Sequence, residues 1–159
     1  MLAREIMSHP VLTAPEDATL RDVANLMRDR RIGGVPIVGR DERIVGIITV
    51  SDFAAKQHGI PFSLVHAPKV LGEWLGREGL EAIYERAGSK LARDIMTTPV
   101  VCGNEGDTLE RIVELMLEHD VTRIPVVRDE VPVGIVARHD LLSLLSLRLA
   151  GRTEPTARP

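Results

Sequence analysis

The chain has 159 residues and 17.5 kDa, with 20 basic against 23 acidic side chains and a formal net charge of −3. A composition that is 44% hydrophobic and 27% charged excludes a disordered polymer, and the mild acidity excludes a general basic face for nucleic acid. The single cysteine, Cys102, excludes a disulfide framework and a Cys-rich zinc site, and no apolar run suits a signal peptide or a membrane span, so the cytoplasm is the expected compartment.

In chain order, Arg4-Glu5-Ile6-Met7-Ser8-His9-Pro10-Val11 forms a lead-in. Leu20, Val23, Ala24 and Met27 then recur at i, i+3, i+4 and i+7, which predicts a helix with one apolar face. Thr19-x-x-Asp22 reads as a capping box at its start. Val35-Pro36-Ile37-Val38 and Ile44-Val45-Gly46-Ile47-Ile48-Thr49 are short β-rich runs around Gly39-Arg40-Asp41-Glu42, the pattern of a hairpin. Pro36 has no ladder donor, so a strand start or edge is expected for it, as for Pro125 later. Gly46-Ile47-Ile48-Thr49-Val50-Ser51-Asp52 runs from the second strand into a helix. Residues 56–90 form a connector with two short helices, at 68–75 and 78–87. All four aromatics, Phe53, Phe62, Trp74 and Tyr84, fall between residues 53 and 84, so the flanking stretches must build aliphatic cores.

After the connector the first pattern returns. Arg93-Asp94-Ile95-Met96-Thr97-Thr98-Pro99-Val100 repeats the lead-in, Leu109, Ile112, Val113 and Met116 repeat the helix, and Ile124-Pro125-Val126-Val127 repeats the first strand, each displaced by 89 positions. Val133-Gly134-Ile135-Val136 and Asp140 follow with a displacement of 88, so one residue has dropped out at the hairpin turn. The chain is a duplication. Its expected segments are a repeat at 1–55, the connector at 56–90, a second repeat at 91–149 and a disordered tail at 150–159. A single repeat buries too little surface alone, so the copies are expected to pack about a pseudo-twofold axis. The last helix carries six leucines between Leu141 and Leu149, more than one inward stripe can hold. A homodimer is therefore expected, with helices near 141–149 and 52–57 at its interface.

The duplicated set Asp/Glu-Ile-Met-Ser/Thr, helix, Pro-Val/Ile-Val and Gly-Ile-Ile/Val-x-x-x-Asp resembles the CBS domain, named from cystathionine β-synthase, and two in tandem resemble a Bateman module. The resemblance implies an α/β (α+β) fold of two related β-α-β-β-α repeats. It also implies a regulatory module that binds AMP, ADP, ATP or S-adenosylmethionine in the clefts between repeats, needs no cofactor and catalyses nothing. The family's motif Gly-apolar-x-Ser/Thr-x-x-Asp is complete at Gly46–Asp52, which implies a stronger site of Ile47, Thr49, Ser51 and Asp52 with Thr122 and Arg123 from the partner repeat. In the second copy Ala137 replaces the hydroxyl residue, which implies a weaker site of Ile135, Arg138, His139 and Asp140.

The chemistry fits without the family. A carboxylate can accept from both hydroxyls of a ribose, and a helix start offers free N–H groups to phosphate. Blander readings stand beside it. The helix dipole alone selects an acid at Asp52 or Asp140, and Arg123 reads equally as a solvated strand-edge charge. Met7, Met27, Met96 and Met116 read as core packing, Cys102 as a small buried residue in a strand, and Trp74 and Tyr84 as connector anchors. His9, His58, His66, His119 and His139 are scattered, so no metal site is expected. No nucleophile, base or metal cluster assembles for catalysis, which leaves an adaptor with degenerate clefts and an unidentified regulated partner as the alternative. Neither nucleic acid nor membrane is an expected partner.

Overall fold

The computed structural model describes residues 1–55 and 90–141. The expected connector helices, the leucine-rich stretch at 142–149 and the tail lie outside the described residues, as do Phe62, Trp74 and Tyr84.

Thr19 starts the first long helix as anticipated. Its hydroxyl accepts from the Asp22 amide at 3.1 Å and donates to the Asp22 carboxylate at 2.6 Å, closing the first turn of α2 (Leu20–Arg30). The stripe of Leu20, Val23 and Met27 is buried. Arg31 ends the helix in the left-handed region at φ 54°, returning its amide to the last turn. Two strands follow, β2 (Gly34–Val38) and β3 (Ile44–Thr49), antiparallel with Val35 opposite Ile48 and Pro36 opposite Ile47. The connecting turn is closed by the Gly39 amide donating to the Arg43 carbonyl at 2.9 Å. A two-residue strand β1 (Ala14–Pro15) lies parallel to β2 on its other side, giving the sheet order β1-β2-β3. Six residues, Val50–Ala55, then form α3.

The second copy folds alike: β4 (Gly103–Asn104), α5 (Leu109–Glu118), β5 (Arg123–Arg128) and β6 (Val131–Ala137), with sheet order β4-β5-β6 and helical residues again from 138. Its hairpin turn is only Asp129-Glu130, both at positive φ (52° and 67°), the primed turn whose twist matches paired strands. The lost residue was lost here.

Pro36 and Pro125 correct one expectation. Both are fully buried in the middle strand of their sheets, neither at a strand start nor in an outer strand. They are tolerated because β1 and β4 are so short: β1 pairs only with Ile37 and Val38, and β4 only with Val126 and Val127. One side of the middle strand therefore has no strand partner at the proline. Cys102 is a second correction, since it precedes β4 rather than lying in a strand.

The lead-ins form helical turns, α1 (Ala3–Ile6) and α4 (Ala92–Ile95), that precede each copy's first strand and go beyond the expected five elements per repeat. Each docks on the other copy. Ala92 and Arg93 amides donate to the Ala18 and Glu16 carbonyls, and the Leu20 amide to Lys90. Eighty-nine positions away the same bonds recur with the roles of the copies exchanged: Ala3 to Asp107, Arg4 to Glu105, and Leu109 to Met1. The described residues accordingly divide into two compact units, each the body of one copy plus the lead-in of the other. The Asp52 unit holds residues 12–55, 90–100 and 129–131, and the Asp140 unit holds 1–11, 101–128 and 132–141.

Each unit has its own aliphatic core. In the Asp52 unit Leu20, Val23, Val35, Ile37 and Ile48 meet Ala92 and Ile95 of the incoming lead-in. In the Asp140 unit Ile112, Leu115, Met116, Ile124, Val126 and Val136 meet Ala3. The exchanged lead-ins are thus held by backbone hydrogen bonds together with the burial of Ala92 and Ile95 in one unit and Ala3 in the other.

Candidate functional site

The glycine of each strand-to-helix turn has a packing reason. A Cβ at Gly46 would lie 2.2 Å from the Met96 sulfur, 2.6 Å from its Cγ and 2.9 Å from its Cβ. At Gly134 the corresponding distances to Met7 are 2.2, 2.6 and 3.0 Å. The methionine of each lead-in thus lies flat on the glycine of the opposite copy, and Met96 and Met7 border their unit's core, as core packing predicts. Immediately after Met96, the Thr97 amide donates to the Ile47 carbonyl at 2.9 Å and the Ile47 amide returns a bond to Thr97 at 3.2 Å.

That placement brings Thr97 to Asp52. Asp52 is only 8% exposed, the one buried charged side chain among the described residues. Its Oδ2 accepts from the Thr49 amide at 2.8 Å and the Thr49 hydroxyl at 3.0 Å, and its Oδ1 accepts from the Thr97 hydroxyl at 3.0 Å. The Thr49 amide bond is the reciprocal half of a capping box on α3, which gives the dipole reading a concrete geometry. The hydroxyls add what a cap does not require. Around this carboxylate Ile47 is buried in β3, Thr49 and Ser51 are half-buried, and the first turn of α3 begins. Thr97 was not among the sequence-derived candidates. Its only sequence signal is that a hydroxyl residue follows the lead-in methionine in both copies, as Ser8 and Thr97.

The other candidates collect in the Asp140 unit. Asp140 is half-buried and accepts from the Ala137 amide at 2.8 Å, the same cap without the hydroxyl. Arg123 begins β5, and burial holds its guanidinium below the usual arginine range, the Asp140 charge pulling the other way. The structure therefore places Arg123 with Asp140, in the same unit. Arg123 donates to the Thr122 hydroxyl at 3.3 Å, and the Thr122 carbonyl accepts from the Arg138 amide. Thr122, Arg138 and His139 are exposed, and Ile135 bonds Ser8 through both backbone groups.

Among the described residues no group of three His, Cys, Asp or Glu side chains could hold a metal ion. None of the described helices is long and apolar enough to cross a membrane. Burial pushes the Cys102 thiol up to about 11, away from nucleophilic reactivity.

The family model of the CBS domain matches residues 3–59 and 92–147. An uncharacterized protein of Methanocaldococcus jannaschii is 33% identical over 156 residues, 91% of each chain. Among solved structures, the CBS domain of a CBS domain containing membrane protein from Sphaerobacter thermophilus has a TM-score of 0.70 at 40% identity, over 91% of this chain and 87% of that one. The CBS domain pair of protein MJ0100, in complex with 5′-methylthioadenosine and S-adenosyl-L-methionine, has a TM-score of 0.69 at 25% identity, over 93% and 98%.

Proposed function

The chain belongs to the CBS domain family, with two copies in tandem, and from that premise we propose that it is a regulatory module. In this reading it binds an adenosine-containing ligand at the Gly46–Asp52 turn and performs no chemistry. The observation that carries it is the Asp52 carboxylate, buried, ionisable and ringed by the Thr49 and Thr97 hydroxyls. A buried acid surrounded by rotatable hydroxyl groups can exchange them for the hydroxyls of a ribose at little cost in lost hydrogen bonds. The complex of the MJ0100 domain pair with two adenosyl compounds supports this ligand class. AMP, ADP, ATP and S-adenosylmethionine are the candidates, and the output is a shift in population towards the conformation that binds better.

The Asp140 turn is the weaker site. Among the described residues its carboxylate meets no hydroxyl and caps its helix through one amide, the arrangement that favours an adaptor reading for that unit. A melting experiment tests the proposal. A ligand at a hundredfold excess over Kd raises stability by about 2.7 kcal/mol, so millimolar adenine nucleotides should raise the Tm clearly and guanine nucleotides less. No shift with any adenosyl compound would favour the adaptor.

A further inference from the structure

The long helices of the two copies show solvent opposite charges. The displacement of 89 sets α5 on α2 residue by residue, so Glu110, Glu114 and Leu117 stand where α2 has Arg21, Asn25 and Arg28. Spaced at i, i+4 and i+7, these positions form one stripe, and it lies opposite the stripe each helix buries in its core. All of them are exposed except the half-buried Asn25. Both copies kept an apolar inner face. The outer stripe is basic on α2 and acidic on α5.

Leu117 is 72% exposed, the most open large apolar side chain among the described residues. Half-buried Val113 lies one turn before it, so the two make a short apolar ridge beside the glutamates. At the place of Val113, α2 has Ala24, a small residue between Arg21 and Arg28. Arginine stems cover an apolar neighbour while their guanidinium groups stay in water. Each stripe already makes ion pairs within its own helix: Arg28 with Asp29 at 3.0 Å, and Arg111 with Glu114 and Glu118 at 3.2 and 3.6 Å. Such exposed pairs are weak, so they oppose a rearrangement at an interface only slightly.

We propose that the α2 stripe of one chain docks on the α5 stripe of a second copy of this chain. Leu117 then packs over the partner's Ala24, and Arg21 and Arg28 lie against the partner's Glu110 and Glu114. A second copy is the occupant because this chain carries both complementary faces. Pairing like with like would set arginines against arginines or glutamates against glutamates, which opposes association. The inference stands apart from the ligand reading.

Sedimentation equilibrium of the full chain at low and high salt tests it, with urea unfolding to check that each variant is folded. The variants are Arg21→Glu with Arg28→Glu, Glu110→Arg with Glu114→Arg, all four together, and Leu117→Ala. Either double reversal gives both stripes one sign and should weaken self-association about tenfold or more. The fourfold variant exchanges the two signs and should associate again nearly as wild type does. Wild-type association should weaken as salt rises. Leu117→Ala should weaken it about tenfold and leave the salt dependence unchanged. A monomeric wild type would overturn the inference. So would double reversals that associate as wild type does, the outcome that pairing of like stripes predicts. A folded fourfold variant no better than the double reversals, or Leu117→Ala without effect, would overturn it too.

Discussion

Gly46→Ala is the most informative single perturbation of this fold, because it inserts one methyl group at the point where the two copies are threaded together. The new Cβ would stand 2.2 Å from the Met96 sulfur, well inside the 3.5–4.0 Å or so at which carbon-sized atoms rest, and 2.9 Å from the Met96 Cβ. The sulfur alone could swing away. The Cβ cannot move without the lead-in backbone, which is held by the Ile47–Thr97 bonds and by Ala92 and Ile95 in the core. The cost is therefore that of overpacking, about 1–3 kcal/mol. At this size each kcal/mol lowers the Tm by about 2–4 °C. Urea unfolding of Gly46→Ala, Met96→Ala and the double variant gives the comparison. Met96→Ala alone should cost about 2 kcal/mol, the low end for a half-buried methionine. In the double variant the methyl group gains room, so the pair should be less destabilised than the sum by about 1 kcal/mol or more. A Gly46→Ala protein within about 0.5 kcal/mol of wild type would refute the close-approach argument.

Three further outcomes are expected. Asp52→Ala should abolish the high-affinity phase of nucleotide binding while Asp140→Ala leaves most of it, and equal losses in a calorimetric comparison would refute the difference between the turns. Cys102, with its thiol pushed up to about 11, is about one part in a thousand thiolate at pH 8, so iodoacetamide should label it slowly when folded and rapidly in urea; equal rates would contradict its partial burial. Sedimentation equilibrium at micromolar concentration should give a homodimer mass, which Leu145→Glu shifts towards monomer; a monomeric wild type would defeat the interface assigned to the leucine-rich segment.

Much of this was legible in the sequence, for identifiable reasons. The stripe of Leu20, Val23 and Met27 and the cap at Thr19 are local signals, and both appear where the periodicity places them. The hairpins follow from β-rich runs separated by turn residues, and the missing residue at Asp129-Glu130 has a turn type that accommodates it. The exchange of lead-ins was not legible. A repeat in sequence shows that Arg93–Val100 matches Arg4–Val11, but the choice of body on which each docks depends on long-range packing that both copies satisfy alike. Pro36 misled because the ladder rule assumes neighbours of similar length, and β1 is two residues long. Thr97 was missed for the same reason as the exchange. Its hydroxyl reaches Asp52 only because the lead-in of one copy crosses to the other, and Ser8 in the matching place gives Asp140 no such bond. The motif glycine, read first as part of a ligand signature, turns out to be required where Met96 and Met7 lie against the backbone.

The central claim is that the Asp52 turn is a binding site for an adenosyl compound, and a calorimetric titration of the full chain with AMP, ATP and S-adenosylmethionine tests it most directly. The account predicts saturable heat with at least one of them, one tight site per chain, and weaker binding of the matching guanosine compound. Heats of dilution alone for all three would contradict it.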